Sequence, residues 1–561
     1  MLSPAPLLTR RNFAVGLGAG LCAMPSAGRP SSVYQVNAPR TYPVRISADV
    51  LACIVDPSQD LGQIDRRIFG TNLEWFNEGG GFASSNRDLR NKLVRLAREQ
   101  SLSVFRFPGG TLADYYNWRD GIGPVSSRPV RRHPTDAGRS ANVFGSPEIF
   151  ALLRDTGAQG LITVNAGTST PDAAAEWVKY ANAPENKERL ADGWARPIGV
   201  KLWEVGNELY LPGTPGEVKI TQTPEDYSAH FIEFADAMRA VDPTITVVAI
   251  GVAKSGIGPD TPFPDWTEKL LKAAAAKIDM IAVHNAYFPL LYHVQQPPVE
   301  AVYPALWAAP EAVGRSLTKL SRLLSGFETG RSIGIALTEW GALFSLPIPG
   351  GDPYWFDHVK TLGSGIYVAR MLQVLTEQPR VRLANYFKFT DRSFMGWVGF
   401  NAQPKVPYWV FRLYAEATGK QRIAASLESP TYEIAAIGAV GAERGVAEVT
   451  AIATRDDESR SLFVNFVNRS LSTAYPIRLQ VRGGFSAASG ELRSISASEP
   501  TAHNGVDIPP EWPMKAEYEP YSTAKPGSIG IVSRQWSQQE TLVLPPFSVA
   551  TVILRAPGAL P

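Results

Sequence analysis

Residues 201–208 read KLWEVGNE, a short apolar run that ends in a glycine, an asparagine and a glutamate. Residues 335–340 read IALTEW, where a run of similar character again ends at a glutamate. Short apolar runs of this kind are typical of buried parallel strands, and the carboxyl ends of such strands meet at one edge of a sheet. The number of such runs along the chain, and the pattern that separates them, therefore predict the fold.

Eight such runs alternate with helical patterns between residues 61 and 415. One helix carries an apolar stripe that includes Leu89, Leu93 and Leu96. Two others begin with a capping threonine before a proline, at Thr170 and Thr223. The repeat predicts an α/β fold, a (β/α)₈ barrel, with a doubly wound sheet as the alternative. The predicted strands are residues 68–74, 104–109, 161–166, 201–208, 246–252, 280–287, 335–340 and 383–389.

After residue 415 the pattern changes to short strand-like runs separated by glycine, proline, serine and asparagine. The runs at residues 446–454, 462–467, 477–481 and 549–554 predict a jelly-roll-like β-sandwich over residues 416–561. Residues 42–55 also have strand character although they precede the barrel. We therefore expect an N-terminal segment, residues 29–60, to join the same sandwich.

The first residues indicate an export signal. Arg10 and Arg11 precede a weakly hydrophobic run rich in glycine, alanine and leucine, which is the pattern of a twin-arginine (Tat) signal peptide. This predicts a signal at residues 1–28 and a periplasmic or secreted protein; an ordinary basic tail is the alternative. Cys22 lies in that segment, so a mature chain would contain Cys53 alone and no intrachain disulfide.

The composition is that of a folded protein: 561 residues, of which 44% are hydrophobic and 19% charged, with 55 basic and 53 acidic side chains. A net charge of +2 argues against a dedicated partner for nucleic acid or an anionic membrane surface. No apolar run approaches the roughly 18 residues of a membrane-spanning helix. Whether the protein forms a homo-oligomer stays open, because the sequence does not determine the oligomeric state.

The chemistry is predicted at the carboxyl ends of strands four and seven. Glu208 and Glu339 stand there, and barrel enzymes draw their catalytic residues from that face. A pair of carboxylates across one mouth suits glycoside hydrolysis, in which one protonates the leaving oxygen and the other attacks or activates water. The histidines and cysteines show no metal-binding spacing, and no phosphate-binding loop is present, so neither a metal nor a cofactor is expected.

The motifs GNE at residues 206–208 and TEW at residues 338–340 resemble the acid/base and nucleophile signatures of the clan A retaining glycosidases. Within that clan the chain is similar to glycoside hydrolase family 51, the α-L-arabinofuranosidases. The resemblance extends from about residue 44 to residue 340 and returns in the tail. It is carried by FGTNLE at 69–74, RFPGG at 106–110, YNWRDGIGP at 116–124, VNAGT at 164–168, VNRS at 467–470 and LPPFS at 544–548.

The resemblance implies roles for individual residues. Glu208 would be the general acid and later the base, and Glu339 the nucleophile. Asn207 would bind the sugar 2-hydroxyl, and Glu74 other hydroxyls at the pocket floor. Arg106 would lie beside Glu339, or would pair with Glu204 in the barrel interior. The remaining candidates for substrate contact are Thr111, Trp118, His284, Tyr287 and Trp340; His284 and Tyr287 would orient Glu339, and the aromatic residues could equally be core.

The chain departs from the family at positions that would face the substrate. Thr111 stands where an asparagine is usual, and residues 284–287 read HNAY in place of a histidine and two tyrosines. Strand eight is dissimilar, and its Lys388 could contact an acidic sugar or lie on the solvated surface. The sequence thus indicates a retaining exo-acting glycoside hydrolase, an α-L-arabinofuranosidase on the resemblance, acting on hemicellulose-type glycans. The alternatives are another clan A glycosidase (β-xylosidase, endoglucanase or β-glucuronidase-like) and a non-catalytic carbohydrate-binding barrel.

Overall fold

The structure of the protein, a computed structural model, describes residues 42–558 apart from 133–138, 212–219, 254–260, 292–296, 329, 346–352, 391–394, 400, 484, 486, 488 and 506–526. The predicted signal at residues 1–28 lies outside the described residues. No helix among the described residues is long and apolar enough to cross a membrane.

Eight parallel strands close into a barrel. Closure is made by the last strand pairing with the first, with Asn385 opposite Gly70 and Tyr386 opposite Thr71. An open doubly wound sheet would leave these two strands as unpaired edges, so the barrel prediction is confirmed and the alternative is excluded. The strands are Gly70–Asn72, Val104–Phe107, Gln159–Val164, Leu202–Val205, Thr246–Ile250, Met280–Pro289, Gly334–Leu343 and Val381–Tyr386.

A helix follows each strand and covers the outside of the barrel. In the first of them the side chain of Asn86 accepts hydrogen bonds from two backbone N–H groups of the first turn, and Leu93 and Leu96 are buried against the barrel. Thr170 and Thr223 cap their helices as predicted, each accepting from a backbone N–H three residues on. The eight helices are Arg87–Glu99, Ser146–Thr156, Pro171–Asn182, Pro224–Val241, Trp266–Ala274, Val299–Ser325, Leu362–Glu377 and Val406–Glu416.

Shorter helices lie in the loops or close to the barrel strands. The α-helical ones are Phe76–Gly80 and Lys187–Ala191, and the 3₁₀ turns are Arg66–Ile68, Thr111–Tyr115, Trp118–Gly121, Val125–Ser127, Ala275–Lys277 and Pro353–Lys360. Two further antiparallel strand pairs are Val130–Arg132 with Arg139–Ala141 and Thr431–Ile434 with Glu443–Ala447.

The two ends of the barrel interior differ in chemistry. Apolar side chains from the first half of the strands form one buried cluster that fills the amino-terminal end: Val104, Leu161, Leu202, Val248, Met280, Ala282, Ala336 and Leu383. With that end closed, polar groups can converge only at the carboxyl ends of the strands. The barrel therefore concentrates its buried charges at one mouth.

The second domain is a separate ten-stranded mixed sheet. Its strands, in spatial order, are Arg45–Ile46, Thr473–Val481, Leu51–Gln63, Gln421–Leu427, Val449–Asp456, Ser461–Asn468, Ser548–Arg555, Ser489–Ile495 and Val532–Gln535, and Leu542–Leu544 pairs with Thr473–Val481. The early strand Leu51–Gln63 lies between two late ones, parallel to Thr473–Val481 and antiparallel to Gln421–Leu427. This sheet therefore contains both the first and the last strand of the described residues.

Charged side chains connect the sheet to the barrel. Arg469, in the turn after strand Ser461–Asn468, donates from Nη1 to Glu311 Oε1 at 2.8 Å, and Glu311 lies on barrel helix Val299–Ser325. Arg370, from the next barrel helix, donates to both oxygens of the same carboxylate. Burial raises the pKa of Glu311, but the charges and hydrogen bonds of Arg370 and Arg469 outweigh it and hold the pKa at about 2.

We expect this carboxylate to make the folded state sensitive to acid. Because its folded pKa lies below its ordinary value of 4.5, Glu311 adds stability above about pH 4.5, and that stability is lost as the pH falls toward 2. Glu311→Gln should therefore be less stable than the wild type at pH 7, with the difference shrinking in acid. Thermal unfolding across this pH range measures it, with exposed Glu428→Gln as the control. Parallel stability curves would contradict the expectation.

Candidate active site

The turn after strand four sets the position of Glu208. Gly206 has a φ of +79°, and a Cβ there would come within 2.9 Å of the side chain of Leu209, so glycine is required. Glu208 itself has a φ of +48°, a conformation that is unfavourable for a residue with a side chain and is kept only where the surroundings enforce it. The carboxylate of Asp114 does so, accepting the backbone N–H of Asn207 at 2.9 Å.

The two predicted catalytic carboxylates face each other across the mouth. One oxygen of Glu208 and one of Glu339 lie within 4.8 Å of each other and of a ring nitrogen of His284. Glu208 is 5% exposed and Glu339 is 3% exposed. Burial makes each charge depend on its immediate partners, so the two carboxylates are distinguished by what contacts them.

Arg106 pairs both with Glu339 at the mouth and with Glu204 in the barrel interior. Its Nη1 donates to Glu339 Oε1 at 2.8 Å and to Asn72 Oδ1 at 3.0 Å. Its Nε donates to Glu204 Oε2 at 2.6 Å, and its Nη2 to Asn207 Oδ1 at 2.7 Å. The two arrangements considered for Arg106 are therefore both present. Burial lowers the pKa of Arg106, but the charges of Glu204 and Glu339 outweigh this and raise it, so the guanidinium is permanently charged.

Strand six supplies a different partner to each carboxylate. Tyr287 donates its hydroxyl to Glu339 Oε2 at 2.6 Å. His284 was expected to orient Glu339 too, but its Nδ1 lies 2.7 Å from Glu208 Oε1 and 3.8 Å from Glu339. The reason is its other ring nitrogen, which lies 2.9 Å from Thr338 Oγ1 and turns the ring toward Glu208.

These contacts also set the protonation of the two strand-six side chains. Burial lowers the pKa of His284, but the charges of Glu339 and Glu208 outweigh it, so the pKa is raised from 6.5. Burial and the charge of Glu339 raise the pKa of Tyr287 well above 10, which keeps its hydroxyl a donor at all physiological pH.

A buried ion pair lies at the carboxyl ends of strands one and eight. Lys388 is 6% exposed and Glu74 also 6%, and the lysine ammonium donates to Glu74 Oε2. The interpretation of Lys388 as a solvated surface residue is therefore wrong, because Glu74 holds it in the interior. Gly110 lies against the same carboxylate, since a Cβ there would be 3.3 Å from Glu74 Oε1. Thr111 follows it, half-buried, at the start of the 3₁₀ turn that carries Asp114.

The two tryptophans proposed as substrate contacts lie in packed aromatic clusters. The ring of Trp118 stacks on Trp177 at 5.9 Å between centroids, and Arg119 covers it at 4.5 Å. Trp340 has no exposed surface and packs its ring against Trp397 and Tyr386. Neither ring offers an open face to a sugar in this structure, so the core interpretation applies to both.

Two positioning groups were not found from the sequence. Asp114 lies in a 3₁₀ turn with no periodic pattern, and only the fold places it beneath Asn207. Thr163 on strand three donates to Glu204 Oε2 at 2.7 Å, the oxygen that Arg106 also binds. Its position on the neighbouring strand was the only available signal.

The chain is similar in sequence to known α-L-arabinofuranosidases. The chain matches the alpha-L-arabinofuranosidase 1 domain over residues 97–285. It is 25% identical over 484 residues to an intracellular exo-α-(1→5)-L-arabinofuranosidase of Streptomyces lividans, covering 81% of this chain and 70% of the relative. A protein of the same name from Halalkalibacterium halodurans is 32% identical over 246 residues, 42% of this chain and about half (48%) of the relative.

Among solved structures, a family 51 α-L-arabinofuranosidase from Bifidobacterium longum superposes with a TM-score of 0.74 at 21% identity, over 90% of this chain and 99% of that one. At this identity the superposition speaks for the fold alone. Taken with the sequence matches, it confirms the resemblance to family 51 that the sequence predicts.

The prediction of export is corrected by the same comparisons. Both relatives are named as intracellular enzymes, which points away from a periplasmic or secreted location. The prediction rested on two arginines before a weakly apolar run, a short pattern that an ordinary basic tail also presents.

Removal of the shared arginine should destabilise the fold. Arg106→Leu would leave Glu204 and Glu339 buried without their common cation, and breaking a buried pair in this way costs about 3–5 kcal/mol. Denaturant unfolding measures the loss. Arg534→Leu, which removes an arginine 50% exposed, is the control and should change stability by less than about 1 kcal/mol. An equal, small effect of both would show that Arg106 carries no structural charge.

The pairing of His284 should stabilise the protein in acid rather than in base. Because the folded pKa is raised above 6.5, its contribution is complete below that pH and is lost as the pH rises through the folded pKa. The gap in melting temperature between the wild type and His284→Gln should therefore be wider at about pH 5 than at about pH 8. A gap that widens with pH would contradict this assignment.

Proposed function

We propose that this protein is a retaining, exo-acting glycoside hydrolase of the family 51 type that releases terminal α-L-arabinofuranosyl residues. The observation that carries the proposal is the pair Glu208 and Glu339, with carboxylate oxygens within 4.8 Å and different partners on each. In retaining glycosidases the two carboxyl groups lie about 5–5.5 Å apart, whereas inverting enzymes need about 6.5–9.5 Å to admit a water molecule.

Glu339 is assigned as the nucleophile because its oxygens accept from two donors, the guanidinium of Arg106 and the hydroxyl of Tyr287. Glu208 is assigned as the acid, and His284 contacts one of its oxygens. In the first step a Glu339 oxygen attacks the anomeric carbon and forms an ester. The bond to the leaving oxygen breaks, and that oxygen takes the proton of Glu208.

In the second step the ionised Glu208 removes a proton from water as the water oxygen attacks the same carbon. The ester bond to Glu339 breaks and restores both carboxyl groups to their starting states. Asn207 supports both steps, since its Oδ1 is held by Arg106 and its Nδ2 has no partner among the described residues. That amide is thereby oriented to donate to a hydroxyl on the sugar ring.

Support for the sugar and for exo action comes from two sides. The relatives are named as exo-arabinofuranosidases, and the family match covers the stretch from residue 97 to residue 285, which holds Arg106 and Glu208. The reacting carboxylates are nearly buried, and Glu74 and Lys388 form a second buried pair on the neighbouring strands one and eight. Deeply buried reacting groups suit a terminal sugar rather than the interior of a polymer chain.

The test is the anomeric configuration of the product, followed by NMR during hydrolysis of an aryl α-L-arabinofuranoside. The expected first product is the α-anomer, released before mutarotation. Aryl β-xyloside and β-glucuronide in parallel test the alternatives. An initial β-product would overturn the retaining mechanism, and turnover of only another glycoside would overturn the sugar assignment.

Variants separate the two roles. Glu208→Ala and Glu339→Gly should each lower kcat by about 10²–10⁴-fold or more. Added azide should restore turnover through different products, because it replaces different groups. With Glu208→Ala it attacks the glycosyl-enzyme and gives the glycosyl azide of retained configuration; with Glu339→Gly it attacks the sugar directly and gives the inverted azide. The reverse pattern would exchange the assignments.

A further inference from the structure

Lys388 is an unusual residue to find inside the pocket. Lysine is almost never fully buried unless it is paired, and an ammonium group removed from water must be compensated. Here it is paired with Glu74, whose strand-one segment lies beside strand eight through the contact of Tyr386 with Thr71. The pair joins the two strands at which the barrel closes.

The ammonium group is held on more than one side. Its Nζ lies 5.6 Å from the ring centre of Phe76 and 5.2 Å from that of Phe387, distances at which aromatic faces attract a cation. Phe387 also packs against Tyr287, the tyrosine that donates to the nucleophile. Lys388 therefore belongs to the same packed unit as the reacting carboxylates.

The charges around it favour an uncharged ligand. The charged and titratable groups of the site include the carboxylates of Glu74, Glu204, Glu208 and Glu339 and the basic groups of Arg106 and Lys388. A sugar carboxylate brought to the floor would meet the ammonium of Lys388 but also the charge of Glu74. A hydroxyl can accept from the ammonium and donate to the carboxylate at once, which a carboxylate cannot do.

We propose that Lys388 is a specificity-determining residue, which with Glu74 forms a charge-balanced clamp for sugar hydroxyls and makes the pocket reject uronic acids. The proposal rests on the proposed function in that the site accepts a terminal sugar. By its charge alone Lys388 would be expected to bind an acidic sugar, whereas the proposal makes it select against one. Lys388 selects a neutral sugar because the carboxylate of Glu74 already balances the charge of its ammonium group.

Binding of free sugars tests the clamp without turnover. Calorimetric titration of the full chain should detect L-arabinose but not D-galacturonate. Glu74→Gln should gain binding of D-galacturonate, because it leaves the ammonium without its counter-charge, and should bind L-arabinose more weakly. Glu74→Gln combined with Lys388→Met should lose the galacturonate binding again. Galacturonate binding by the wild type, none by Glu74→Gln, or binding that persists in the double variant would each overturn the proposal.

Kinetics of single variants keep the proposal testable if the Glu74 variants fail to fold. Lys388→Gln should lower kcat/KM for the neutral glycoside by about 10- to 100-fold, mostly through KM, the effect of losing a charged hydrogen bond. Lys388→Arg should retain the preference for neutral sugars. Lys405→Met removes another buried lysine, bonded to Gly505 in a different region, and should leave KM unchanged. Equal KM effects at Lys388 and Lys405 would reduce Lys388 to a structural role.

The two proposals fail differently. If arabinofuranosides are inert while another neutral glycoside is cleaved, the sugar assignment fails and the clamp stands. If uronides are cleaved in preference to every neutral glycoside, the clamp fails while the two-carboxylate mechanism stands.

Discussion

The buried charge of Arg106 is the constraint on which the site depends. One guanidinium satisfies Glu204 in the barrel interior and Glu339 at the mouth, and it fixes the amide of Asn207 between them. A buried cation of this kind is tolerated only when its hydrogen-bonding capacity is used, so strands two, four and seven must close to the distances at which all these partners meet. The guanidinium that satisfies the interior carboxylate thus also contacts the proposed nucleophile, which connects the stability of the barrel to the site.

The barrel tolerates this concentration of charge because the charged groups and the apolar cluster occupy different ends of its interior. Side chains such as Val104 and Leu202 fill the amino-terminal end, and the polar groups follow on the same strands a few residues later. The strained turn at Glu208 is maintained by this surrounding framework, with Asp114 holding the backbone beside it. The sheet domain packs along the side of the barrel and is anchored there by Arg469 and Glu311.

The pocket's selectivity follows from pairing rather than from individual residues. Glu74 and Lys388 carry opposite charges and are buried together, so the floor presents both an acceptor and a donor with no net charge. His284 and Tyr287 leave the same strand and yet contact different carboxylates. The two carboxylates that face each other across the mouth therefore have unequal surroundings.

The eight strand–helix units, the helix caps and the strand-end position of the two glutamates could be predicted from the sequence, because periodicity and capping are local properties of the chain. The interpretation of Lys388 as a surface residue was wrong, and the sequence could not decide between two partners for Arg106. Both depend on groups far away in sequence: Glu74 for Lys388, and Glu204 and Glu339 for Arg106. The same holds for Trp118 and Trp340. A tryptophan can fill a core or support a sugar ring, and only its packing in the folded protein distinguishes the two. Which charged groups meet depends on the folded barrel, because its closure brings strand one beside strand eight.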